Sequence, residues 1–145
     1  MAELDRDLAR ILGNYESAVF KKDVDAFMRL YAPDVRVFDA WGVWSYEGAE
    51  AWKRAVEGWF TSLGTEHVKV GFADVQSSAG KDVSSVSAIV TYTGVSAEGA
   101  PLRAMQNRIT WVLRTVGHVP RIVHEHTSAP IGFEDLKAIL VRGSG

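Results

Sequence analysis

The second half of the chain is four long stretches in which polar and apolar residues alternate, each closed by a turn signal. "HVKVGFADVQ" runs from His67 to a turn at Ser78-Ala79-Gly80, and "VSSVSAIVTYTGV" runs from Val83 to a turn at Glu98-Gly99. "LRAMQNRITWVLRT" leads from Leu102 to Gly117, and "RIVHEHTS" runs from Arg121 until Pro130 stops it. Period-two alternation between short turns predicts an antiparallel meander. Such a sheet has one apolar face, and that face needs a cover.

The first half supplies it. Leu4, Leu8, Ile11, Leu12, Tyr15 and Val19 recur at helical spacing. Asp23 is placed to cap a second helix carrying Val24, Phe27, Met28 and Tyr31, with Pro33 ending it. "VRVFDAW", Val35 to Trp41, alternates and predicts a strand. "YEGAEAWKRAVEGWFTSLG", Tyr46 to Gly64, predicts a third helix with Trp52, Ala55, Val56 and Trp59 on one stripe and Gly64 closing it. "FEDLKAILV", from Phe133, predicts a short tail helix. Helices followed by a run of antiparallel strands indicate an α+β fold. A twisted sheet curling around its helices leaves a pocket on the concave face. The expected organisation is one domain over residues 1–131 and a tail over 132–145, whose last three residues, Gly-Ser-Gly, read as a possible cloning remnant.

Composition narrows the function. Net charge is -2, without the basic excess that neutralises phosphates, so no nucleic-acid partner is expected. The absence of cysteine excludes disulfides, thiolate zinc sites and cysteine nucleophiles. The charged start "MAELDRDLARIL" is unlike a secretory signal, and no apolar run approaches the roughly 20 residues that span a bilayer. A cytoplasmic protein without membrane contact is the expectation.

The element order resembles the nuclear transport factor 2-like superfamily of cone-shaped α+β domains, in which N-terminal helices pack on a curved, mostly antiparallel sheet. "FKKDVDAFMRLYAPDVRVFDAWG" resembles the helix–helix–strand passage of SnoaL-like proteins and ketosteroid isomerases. "NRITWVLRTVGHVPRIVHEHTSAP" resembles the last hairpin of SnoaL-like proteins and of the association domain of calcium/calmodulin-dependent protein kinase II. The resemblance covers roughly residues 5 to 131. It implies a fold more sharply than an activity, because this fold hosts isomerases, dehydratases, cyclases, hydrolases and modules without chemistry.

Asp39 shares its strand face with Val37 and Trp41. It is either an edge aspartate making a turn contact or a carboxylate in an apolar pocket, where burial raises its pKa toward that of a useful base. The resemblance implies the second role: in ketosteroid isomerases an aspartate near the end of this strand shuttles the proton, and a first-helix tyrosine stabilises the enolate oxygen. Asp39 and Tyr15 match those positions. Tyr15 also lies on the apolar stripe of its helix, where a core tyrosine is the ordinary case. The isomerase pattern then breaks. Its second, protonated acid belongs on the penultimate long strand, where this sequence has Arg108 or its neighbour Asn107. Arginine is no neutral acid, but it binds a carboxylate or enolate as a fixed charge, or pairs with Glu125 across the hairpin. Trp41 and Trp52 would floor a pocket for a flat apolar ligand, whereas Trp59 and Trp111 read as core.

"VHEHTSAP" holds His124 and His126 around Glu125. Alternation puts the histidines on one strand face with Ile122, and Val123, Glu125 and Thr127 on the other. The resemblance implies that Val123, Glu125 and Thr127 face the pocket and that the histidines face an outer, subunit-contacting side. A metal site needs further ligands, and only His67 and His118 remain, so no metal is expected. A register slip of one residue would exchange the faces. Outward apolar positions on the meander, read as Ile109, Trp111 and Ile122, predict a homodimer.

Two functions follow. The first is a cofactor-independent isomerase, cyclase or lyase that moves a proton next to a carbonyl in an enclosed pocket. Asp39 would be its base, Tyr15 and Arg108 would stabilise oxygen charge, and Glu125 would be a second acid. Its ligand, carbonyl-bearing or anionic, would lie against Trp41, Trp52, Val123 and Thr127. The second is a non-catalytic ligand-binding or oligomerisation module resembling the kinase association domain.

Overall fold

The computed structural model describes residues 2–143, with side chains from residue 6 onward; Met1, the Leu4 side chain, Ser144 and Gly145 lie outside the described residues. Three helices, α1 (Ala2–Lys21), α2 (Val24–Met28) and α3 (Ala49–Ser62), cover one face of a six-stranded sheet. The strands are β1 (Tyr31–Phe38), β2 (Tyr46–Glu47), β3 (His67–Ser78), β4 (Val83–Val95), β5 (Pro101–Val116) and β6 (Val119–Ser128). Their spatial order is β2-β1-β6-β5-β4-β3. β1 and β6 run parallel, and every other neighbouring pair is antiparallel. None of the described helices is long and apolar enough to cross a membrane.

The helices form where the apolar spacing places them. Leu8, Ile11, Tyr15 and Val19 of α1 are buried, as are Trp52, Val56 and Phe60 of α3. Asp23 caps α2 by accepting a 3.0 Å hydrogen bond from the Ala26 amide. Gly64, at φ 58°, turns the chain out of α3. Two boundaries differ from the sequence expectation. α2 ends at Met28, and Tyr31 and Pro33 belong to β1, because Tyr31 pairs with Ile122 of β6. Pro33 is tolerated there because the β1–β6 register breaks between Tyr31 and Arg36, where no ladder N–H is required of it. Tyr46 and Glu47 pair with β1 as a short strand, so α3 starts only at Ala49.

The tail is not helical. Leu136 sits at φ 60°, and the Asp135 carboxylate accepts from the Lys137 amide 3.1 Å away, a local bond that competes with helix. Gly132 N–H donates to the Lys137 carbonyl at 2.8 Å and closes the turn. The chain then runs extended, with the Gln106 amide donating to the Leu140 carbonyl at 2.6 Å. Phe133 and Leu136, read as helical apolar positions, are 96% and 77% exposed.

The hairpin of β5 and β6 decides what faces the helices. Ile109, Trp111 and Leu113 of β5 point inward and are buried. On β6, Ile122 lies opposite Leu113, yet His124 lies opposite Val112, so Val123 is an extra residue in a β-bulge. The bulge resets the alternation. Ile122 therefore joins the core, and Glu125 and Thr127 also point inward. This corrects the expectation at two points: Val123 does not line the pocket, and Ile109, Trp111 and Ile122 are core residues and not outer-face ones. Ile122→Ala is expected to cost roughly 2–5 kcal/mol, as a buried aliphatic truncation does. Val123→Ala, at a half-buried bulge position, should cost less than about 1 kcal/mol. Equal losses in urea denaturation would mean that the bulge is misplaced.

Candidate functional site

The inward curve of the sheet and α3 enclose a cavity of about 590 Å³, open at one end. Its buried end carries Tyr15 of α1, Tyr92 of β4, Asn107 of β5 and Glu125 of β6. Asp39 and Trp41 come from the loop after β1, and Trp52 and Trp59 from α3. Met105 and Arg103 continue the lining along β5 to the mouth.

Glu125 is 2% exposed, and one of its oxygens holds two donors. Oε1 accepts the Tyr31 hydroxyl at 2.6 Å and the Trp111 indole N–H at 2.9 Å. Burial pushes its pKa from 4.5 up to about 7; the two donors oppose that rise and the nearby charge of Asp39 adds to it. Asp39 is raised in the same direction by desolvation, opposed by the Thr127 hydroxyl and the backbone N–H groups of Trp41 and Ala40. No described lysine or arginine pairs with either carboxyl group. The Thr127 Oγ1 donates to Asp39 Oδ1 at 2.9 Å and accepts the Ala40 N–H at 2.8 Å. Thr127, expected to touch ligand, instead fixes Asp39 from behind and is absent from the cavity wall.

Tyr15 and Tyr92 hydroxyls lie 2.8 Å apart. Whichever donates, one hydroxyl proton is left for a ligand. Burial raises both well above the usual phenol value, so they are neutral donors at physiological pH. Two buried atoms have no partner among the described residues, Asn107 Oδ1 and Trp52 Nε1, and both residues line the cavity.

Tyr15, Asp39, Glu125, Trp41 and Trp52 all line one cavity. Arg108 does not. It lies opposite Ser128 on the outer sheet face, with Nε donating to Ser128 Oγ at 3.0 Å. Alternation along β5 sends Asn107 inward and Arg108 outward. Arg108 therefore neither holds an oxyanion here nor pairs with Glu125, which sits opposite Trp111. The histidines share the outer face with Phe38, whose ring meets theirs edge-on at 5.0 and 5.5 Å. Trp59 lines the cavity although its helical stripe suggested only core, and Trp111 is core but also a hydrogen-bond donor to Glu125. Tyr92 and Arg103 carried no sequence signal beyond inward parity on their strands, and Tyr31 was expected on the second helix.

The model of the SnoaL-like domain matches residues 9–132. The chain belongs to the SnoaL-like domain family. A search of curated proteins finds no match. Among solved structures, an NTF2-like protein of unknown function from Pseudomonas putida superposes with TM-score 0.84 at 20% identity, covering 99% of this chain and 98% of that one. Aln2 from a Streptomyces species gives 0.78 at 16% identity, with 88% and 91% covered. A putative calcium/calmodulin dependent protein kinase II association domain from Xanthomonas campestris gives 0.72 at 19% identity, with 86% of each covered. These likenesses establish the α+β cone. A SnoaL-like domain with a cavity of this volume is suited to a small organic molecule.

The raised pKa of Glu125 has a signed consequence for stability. Its folded value, about 7, exceeds its ordinary 4.5, so the folded state holds the proton more tightly. The associated stabilisation is full below about pH 4.5 and is lost as pH rises through about 7. Glu125→Gln keeps an oxygen for Tyr31 and Trp111 and removes the titration. Between pH 5 and 8 the variant should gain on the order of 3 kcal/mol relative to the parent. Parallel stability–pH curves in chemical denaturation would refute the buried acid.

Proposed function

We propose that this SnoaL-like domain is a cofactor-independent isomerase, cyclase or lyase that moves a proton next to a carbonyl. One observation carries the reading: two carboxyl groups without a cationic partner among the described residues face one cavity, and the polar groups beside them at its buried end are neutral hydroxyl, indole and amide groups. Asp39, raised by burial while the Thr127 hydroxyl and backbone N–H groups support its charged form, takes the proton from the carbon beside the carbonyl. The Tyr15–Tyr92 pair donates to the oxygen on which negative charge develops. Glu125, protonated up to about pH 7, supplies the second acid that the penultimate strand lacks. Proton transfer between carbon and carboxylate requires no redox partner.

The test uses 2-tetralone, a bicyclic ketone with acidic protons beside its carbonyl, in D2O near neutral pD. Magnetic resonance should show protein-accelerated exchange of those protons. Asp39→Asn should lower the acceleration by a factor on the order of a hundred or more. Because no buried charge is stranded, that variant should melt no lower than the parent near neutral pH. Unchanged exchange in Asp39→Asn, or a large loss of melting temperature, refutes Asp39 as the base.

The tail favours a second reading, a homodimer, since the apolar surface that the sequence placed on the meander lies instead on residues 131–141. Phe133, Leu136 and Val141 are 96%, 77% and 63% exposed on a segment hydrogen-bonded to the sheet. Light scattering at low micromolar concentration should give twice 15.9 kDa, and Phe133→Ser with Leu136→Ser should return the monomer. A monomeric parent removes this reading and leaves the catalytic one intact.

A further inference from the structure

The inward face of β5 grades from solvent to core. Arg103 is exposed, Met105 half-buried and Asn107 6% exposed, and all three line the cavity. Four strand residues span about 14 Å. That distance separates two unlike ends. The inner end holds Asp39 and Glu125 with no cation beside them, so an anionic group placed there meets like charge in a desolvated site. The outer end holds Arg103, the one arginine or lysine among the described lining residues.

Arg103 is held in place from two sides. Its Nη2 donates to Glu66 Oε1 at 2.5 Å, and its guanidinium lies on Gly94 of β4, where an added Cβ would stand 3.4 Å from Cζ. The Glu66 contact uses one of five N–H donors of the fork. The side chains of the pair are 62% and 33% exposed, so the ion pair contributes little and a carboxylate from outside can share the cation. At the inner end, Asn107 has a buried Oδ1 without a partner among the described residues, which asks for a hydroxyl donor.

We infer that the cavity takes a flat ligand with a neutral hydroxyl head against Asn107 and a carboxylate at its opposite end, at Arg103. The inference rests on reading the cavity as a small-molecule site, and it makes Arg103 and Asn107 the residues that set orientation. The apolar body between the ends lies against Trp41, Trp52 and Trp59.

The test is calorimetric binding of 2-naphthol, 2-naphthoate and 6-hydroxy-2-naphthoate at pH 7. The parent should bind the hydroxynaphthoate about tenfold more tightly than 2-naphthol, the usual gain from a hydrogen bond to a charged group. Arg103→Gln should erase that gap and leave 2-naphthol unchanged. Glu66→Gln, which removes the competing carboxylate, should widen it. Asn107→Leu should erase the gap between hydroxynaphthoate and 2-naphthoate. A carboxylate that brings no gain, or a gain that survives Arg103→Gln, overturns the inference while 2-naphthol binding keeps the small-molecule reading. Failure of all three probes to bind overturns both.

Discussion

The burial of Glu125 organises this molecule. A carboxyl group enclosed by the sheet and helices is costly unless it is neutral or hydrogen-bonded. Tyr31 from β1 and Trp111 from β5 both donate to its Oε1, so the residue on β6 fastens three adjacent strands at their inner face. Those two donors are themselves core aromatics, packed into a cluster with Phe27, Tyr15 and Phe72. The packing that makes the core therefore also aims the acid. Its Oε1 is held from the core side, and Glu125 lines the cavity.

Strand parity then distributes everything else. One residue on β5 separates Asn107, which reaches the cavity, from Arg108, which reaches solvent. One extra residue on β6 brings Ile122 and Glu125, three positions apart, onto the same face. Without the bulge, strict alternation with Glu125 inside would put Ile122 outside and Val123 in the core. The histidines keep the outer face under either count because they follow the bulge. His124 accordingly bonds the Arg36 carbonyl at 2.8 Å beside Phe38, away from the cavity.

What can be read in advance follows from the same physics. The α+β class, Asp39 at the end of its strand, Tyr15 on the first helix and Glu125 on the last strand are consequences of periodicity and element order, both visible in one dimension, and the cone is what the family resemblance implies. The bulge at Val123 is not visible there, since nothing in "RIVHEHTS" marks an unpaired residue and its partner strand sets the count. Charge singles out Arg108 over Asn107 in the sequence, whereas parity decides between them in the fold. Tyr92 reads as one more alternating strand residue, and only the fold brings its hydroxyl within 2.8 Å of a residue 77 positions earlier. The apolar spacing of the tail suggests a helix. Leu136 in the left-handed region and the Asp135 turn override that spacing, and the segment pairs with β5 instead.

The two cavity carboxyls share one desolvated enclosure, and neither has a cationic partner among the described residues. Asp39 is backed by the Thr127 hydroxyl and by backbone N–H groups that favour its charged form. Glu125 has two donors as well, but it is more completely enclosed and its value reaches about 7. Burial raises both, and the donors behind Asp39 oppose that rise. Ionising Asp39 raises the cost of ionising Glu125, which holds the remaining proton in place. With Asp39 ionised and Glu125 protonated, the cavity would contain one base and one acid. The neutral Tyr15–Tyr92 pair beside them offers a proton that is not lost in that state. An apolar enclosure can thus prepare acid and base together from two carboxyl groups, because the protein withholds from both the positive charge that would fix them in the same state.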